Sequence, residues 1–328
     1  MKRRLFALTT TAAALTLALA SGTAFAQTKW DLPAAYPATN FHSENLVQFA
    51  ADVDKASAGK LKITVHANGA LFKAPEIKRA VQGGQAQAGE ILLVNFQNEW
   101  PLFGVDGLPF LADSYEQSQK LAKAQKPFLE KKLAEQGMAL LYTVPWPTQG
   151  IFAKKVINSG ADLKGVKWRA YSPSTARIAE LVGAQPVTVQ AAELSQAMAT
   201  GVIESYMSSG STGMDTKTYE SLKYFYDTQA WLPKNAVIVN KAAFDALDAP
   251  TKQAVLKAAA DAEVRGLAAS KKTNADSLDK LKANGMTVMP PSPQLKADMK
   301  KVGDVMLKEW LEKAGPDGKA LIDAFNKS

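Results

Sequence analysis

Arg169 stands near the end of the run Val166-Lys167-Trp168-Arg169-Ala170-Tyr171, which reads as a short strand feeding a polar, proline-marked loop. A guanidinium at a strand end presents a rigid fork of donors matched to a carboxylate. Trp168 and Tyr171 flank it. Trp146 and Trp231 sit in loops next to proline (PWP and WLP), where a ligand wall is more natural than core packing. Tyr206 belongs to the same group of strand-end aromatics. These residue types suit non-covalent capture of a small organic acid, with one cation for its carboxylate and flat apolar faces for the rest. A surface arginine paired with glutamate is the competing reading of Arg169. Core packing competes for each aromatic.

Residues for bond-making chemistry are scarce. The chain has no cysteine, so disulfides, thiolate nucleophiles and cysteine-held metals are excluded. His42 and His66 are the only histidines, too far apart for a helical metal pair, and no HExxH occurs. Ser208 to Gly213 (SSGSTG) is only superficially like a GxSxG elbow, and there is no P-loop or GxGxxG fingerprint. No cofactor or metal is expected.

The first 26 residues read as a cleavable export signal. Lys2, Arg3 and Arg4 precede the apolar run Leu5–Ala20, and Ala24-Phe25-Ala26 fits small-x-small cleavage before Gln27. A membrane anchor is the alternative, but the run is short and is interrupted by Thr9 to Thr11. Without those three cations, 36 Lys and Arg face 31 Asp and Glu, a net charge of +5. The charges are interspersed, as in EKKLAEQ and KKTNADSLDKLK, which suits solvated helix faces rather than a nucleic-acid stripe. A modest positive field favours an anionic ligand.

Strand and helix signals alternate along the remaining 300 or so residues, a length that usually divides into two domains. Strands are expected over 29–34, 61–67, 90–94 and 138–144, and helices over 43–58, 75–83 and 114–123. Gly59 stops the first helix. The pattern is that of an α/β sheet protein, whose ligands bind at the carboxyl ends of strands. Pro250 to Asn284 carries a helical stripe of Ala254, Val255, Ala258, Ala259 and Ala262, with Gly285 as its stop. Unbroken, it would reach roughly 50 Å. The alternative is two helices parted at Gly266. A strand at MTVMP and a last helix over 294–314 follow.

Leu163 to Ser205 contains LKGVKWR, then GAQPV, then ELSQAMATGV. This region resembles the signature of the solute-binding proteins of TRAP transporters, the DctP type, with its LKGxKxR, GAxPV and ExxxAxxTGV runs. The resemblance implies a two-domain α/β periplasmic binding protein, type II-like, with a long domain-spanning helix and a ligand cleft between the domains. It implies domains of 27–145 plus 235–273 and 146–234 plus 274–328. It implies a small organic carboxylate as ligand and integral membrane subunits as partners, with no nucleic acid and no chemistry done on the ligand. In that family the arginine of LKGxKxR grips the carboxylate, which is the place of Arg169. Where the sialic-acid-binding branch has a second arginine this chain has Gln149, and Ser208 stands where many relatives have an assisting asparagine. Lys73, before the Pro75 helix, would supply a second cation or be a surface lysine. Glu90 would accept a ligand hydroxyl or be a salt-bridged strand residue. The ligand site expected is Arg169, Gln149, Trp146, Tyr171, Ser208 and Trp231, with Glu90 and Lys73. The missing second arginine and the many aromatics favour a monocarboxylate over a dicarboxylate. An importer driven by ATP, or an exported hydrolase using His42 or His66, are the rival readings.

Overall fold

The computed structural model describes residues 27–327. The expected export signal at 1–26 lies outside the described residues.

The chain begins with β1 (Thr28–Pro33), whose loop leads to α1 (Phe41–Ala56). Asn40 caps α1, its side chain accepting from the His42 amide. The helix therefore starts before the Ser43 expected from periodicity, because the capping asparagine outranks the apolar stripe as a start signal. It closes on Ala58 and Gly59, both at positive φ. β2 (Leu61–His66) follows and pairs in parallel with β1, Leu61 and Ile63 facing the core. α2 (Ala74–Gln82) opens with Pro75 in its first turn, where proline costs no hydrogen bond. β3 (Ala88–Leu92) is followed by α3 (Tyr115–Glu135). α3 runs twelve residues past the expected end at Lys123 and carries Pro127 inside it. Buried Leu129 and Leu133 hold the continuation against the core.

After β4 (Met138–Pro145) the chain crosses into β5 (Gln149–Ala153), β6 (Lys167–Ala170), α4 (Pro173–Leu181) and β7 (Gln185–Thr188). Then come α5 (Leu194–Ala199), β8 (Ser205–Ser209), α6 (Gly210–Asp215) and β9 (Tyr224–Tyr226). It returns in β10 (Lys234–Asn240) and α7 (Lys241–Asp245), and ends with α8 (Ala249–Ala283), β11 (Thr287–Met289) and α9 (Pro293–Asn326). One sheet has the order β3-β10-β4, with β10 antiparallel to both neighbours. A six-stranded sheet has the order β11-β9-β5-β8-β6-β7. The two crossings lie side by side: the Trp146 amide donates to the Pro233 carbonyl at 2.8 Å, and the Gln149 amide to the Trp231 carbonyl at 3.0 Å.

α8 is a single helix of 35 residues. Val255, Ala258, Ala259 and Ala262 enter the core beside the β3-β10-β4 sheet, and Leu281 enters a core of the larger sheet. Gly266 does not break it. A Cβ there would lie 2.5 Å from Val144 Cγ2, so glycine is what lets the helix press onto β4. α9 runs beyond the expected end at Ala314, kinks at Gly315 (φ 58°) before Pro316, and continues. Met299, Met306, Trp310 and Leu321 anchor it, each burial contributing roughly 1.5–3 kcal/mol.

Candidate functional site

A cavity of about 310 Å³ opens between the two sheet systems, at the strand ends where the crossings run. Arg169 forms part of its wall and is 3% exposed. β6 places it there, and its Nε donates to the Val189 carbonyl at 2.9 Å, which orients the fork. The guanidinium lies 5.0 Å from the Tyr171 ring centre and 5.8 Å from that of Tyr206. The arginine ion pairs among the described residues are those of Arg177 and Arg265; Arg169 has none. Burial depresses its pKa and the surrounding tyrosines oppose that. Such a cation, desolvated and without an anion, favours an anionic ligand that supplies the missing charge.

Gln149 and Tyr171 stand beside it on the cavity wall. The Gln149 Nε2 donates to the Pro147 carbonyl at 2.8 Å, and its Oε1 accepts from the Tyr171 hydroxyl at 3.4 Å. Burial raises the Tyr171 pKa, so its hydroxyl stays a neutral donor. Ser208, on β8 next to β5, also lines the cavity. Trp146 offers its ring as an apolar face; its Nε1 donates to Asn235 Oδ1 at 2.9 Å. Tyr36 packs edge-on to that ring at 4.7 Å. Lys73 reaches the rim from the start of α2, where it is exposed and its Nζ donates to the Gly69 carbonyl at 3.3 Å.

The cavity therefore brings together Arg169, Gln149, Trp146, Tyr171, Ser208 and Lys73, and leaves Trp231 and Glu90 off its wall. Trp231 is 1% exposed and packs in the core of the larger sheet with Trp168 and Met299. A neighbouring proline marks a crossing but does not say which face of it a ring will take. Glu90 is buried on β3 behind Trp146, its Oε1 3.4 Å from His42 Nδ1, and the His42 ring centre is 4.4 Å from that of Trp146. A carboxylate buried on an apolar strand pairs inward rather than reaching a ligand.

Several wall residues escaped the sequence. Tyr36, Asn95, Thr212 and Asp215 all line the cavity. Asn95 Oδ1 is buried without a hydrogen-bond partner, an acceptor left for a ligand. Tyr36 and Asn95 follow the ends of β1 and β3, so the strand-end rule applied to each strand would have found them.

A family model for bacterial extracellular solute-binding proteins, family 7 (DctP), matches residues 34–314. The chain belongs to this family. It is a solute receptor of the TRAP type and not an enzyme. Among solved structures, DctP6 of Bordetella pertussis, an extracytoplasmic solute receptor binding pyroglutamic acid, is 66% identical with a TM-score of 0.91, covering 92% of this chain and 100% of that one. A marine metagenome TRAP solute-binding protein specific for pyroglutamate is 47% identical, TM-score 0.91, covering 93% and 100%. DctP7 of Bordetella pertussis, also binding pyroglutamic acid, is 46% identical, TM-score 0.90, covering 91% and 99%. The two-domain α/β architecture of these receptors, with its long helix, is that of this chain.

Proposed function

We propose that this receptor captures pyroglutamate, a cyclic monocarboxylate, and delivers it to integral membrane subunits. The observation that carries the reading is the buried Arg169 on the cavity wall, which has no anionic partner among the described residues. Three relatives at 46–66% identity described as binding pyroglutamate support the choice of acid. Arg169 takes the carboxylate. The five-membered ring rests on Trp146, Tyr36 and Tyr171. Its lactam N–H needs an acceptor and its C=O a donor, and the amides of Asn95 and Gln149 with the Ser208 hydroxyl are groups of both kinds. Neutral Gln149 cannot neutralise a second carboxylate.

The export signal at 1–26 places the protein in the periplasm on this reading. The cleft closes between domains of 27–145 plus 235–273 and 146–234 plus 274–328, and closure excludes water and strengthens the ion pair. Titration calorimetry on the chain from Gln27 tests the ligand. L-pyroglutamate should outbind succinate and malate by at least about tenfold, roughly 1.4 kcal/mol. A dicarboxylate receptor is the second reading, because Lys73 reaches the same rim. Tighter diacid binding abolished by Lys73→Ala would establish it instead.

A further inference from the structure

One hydrogen bond ties the cap of α1 to Asp215 on the cavity wall. Asn40 Nδ2 donates to Asp215 Oδ2 at 2.7 Å, between residues 175 positions apart. Asn40 is 1% exposed, and its other end is already committed: Oδ1 accepts from the His42 amide at 2.9 Å and so caps α1. The side chain is held at both ends and has one orientation open to it, Oδ1 to the helix and Nδ2 outward. Asp215 is the last residue of α6, which follows directly from the Ser208-bearing strand. Thr212, Asp215 and Thr216 of this segment all line the cavity, and Asn40 does not. Among the described residues Asp215 has no ion pair with a lysine or arginine; its carboxylate accepts from the Asn40 amide.

α1 belongs to the core beside the β3-β10-β4 sheet, through Phe41, Leu46, Phe49 and Val53. α6 continues from a strand of the six-stranded sheet. A bond between them ties the side of the β3-β10-β4 sheet to that of the six-stranded sheet. Its donor is preorganised by the helix cap, so forming it orders little that is not already ordered. Its acceptor is a carboxylate, which makes it stronger than a neutral pair.

We propose that Asn40 is a positioning residue for ligand capture: its bond to Asp215 is a clasp made as the cleft closes, and it slows release of the bound acid without touching it. The proposal rests on pyroglutamate as the ligand of this cavity. Wild-type binding is therefore the control that tests the ligand, and the contrast between variants tests the clasp.

The decisive variant is Asn40→Asp. Aspartate caps a helix as well as asparagine does, so the start of α1 is kept. It loses the donor and sets a second carboxylate against Asp215. Stopped-flow fluorescence, with Trp146 on the cavity wall as the natural reporter, would follow pyroglutamate binding and release. Asn40→Asp should release the ligand about tenfold faster or more, with the association rate changed much less. The melting temperature of the ligand-free protein should stay near wild type. In Asn40→Asp/Asp215→Asn the donor and acceptor are exchanged, and the release rate should return to within about threefold of wild type. A wild-type release rate in Asn40→Asp overturns the clasp. So does a fast-releasing single variant that the second substitution does not slow at all, because the defect would then not run through the Asn40–Asp215 bond.

Discussion

Replacing Arg169 with methionine should separate binding from stability in opposite directions. The side chain is 3% exposed and lacks an anionic partner among the described residues, and burial depresses its pKa, so the ligand-free protein carries an unfavourable charge at this position. For a base, a depressed folded-state pKa means that the charged form opposes folding. Methionine fills similar volume without charge; the Nε bond to the Val189 carbonyl, on the order of 1 kcal/mol, is lost together with the guanidinium's contacts to the Tyr171 and Tyr206 rings. The ligand-free melting temperature should stay the same or rise. Binding should collapse, because the ligand carboxylate would be buried without a cation, a loss of about 3–5 kcal/mol. That is a few hundred- to a few thousand-fold in affinity. At ligand held at 100 times the wild-type Kd, ligand stabilises the wild type by about 2.7 kcal/mol. A 300-fold weaker variant gains only about 0.2 kcal/mol at the same concentration. Arg169→Lys keeps the charge and loses the fork, so an intermediate loss of about 1–2 kcal/mol is expected. Calorimetry gives the affinities and thermal denaturation with and without L-pyroglutamate gives the stabilities. A methionine variant that melts much lower while keeping its ligand-induced shift would refute the reasoning and make Arg169 a structural residue.

Three further outcomes follow from the same structure. Gly266→Leu should destabilise the fold by at least about 1–3 kcal/mol in urea denaturation, since a side chain at that point of α8 runs into Val144 and Asn45; a more stable variant would show that the helix does not press on β4 there. Asp248 caps α8 by accepting from the Thr251 amide and is bound by Lys60, and these contacts, Lys60 first, hold its pKa well below the usual carboxylate range. Its contribution is therefore present above the ordinary carboxylate pKa and fades as pH falls, so Asp248→Ala should melt lower than wild type at pH 7, with the gap narrowing below about pH 4. Small-angle scattering should give a smaller radius of gyration with saturating pyroglutamate than without it; an unchanged profile would count against cleft closure.

The alternation of strands and helices, the glycine stops and the proline starts were local signals, and they located most elements because each depends on a few neighbouring side chains. Where they misjudged extent, at α3 and α9, the sequence carried a proline or a glycine-proline break that contacts from Leu129, Leu133 and Leu321 overrode. Arg169 was legible because a charged fork at a strand end has few uses other than an anion, and because the motif around it resembles a known signature. Trp231 and Glu90 were not. A tryptophan by a proline and a glutamate after a turn look alike whether they face a ligand or a core. Which way they face depends on pairing between segments far apart in the chain, as Glu90 opposite Val237 illustrates. The sequence by itself determined the chemistry on offer: one strand-end cation, many flat rings, no nucleophile and base in a recognisable motif, and a helical stripe that left one long helix or two broken at Gly266 open. Only the tertiary structure decided who shares the cavity. Asn40 and Asp215 meet, and Tyr36 and Trp146 form one wall, because two crossings and one 35-residue helix bring separate sheets together, and no local pattern encodes a contact between segments that distant in the chain.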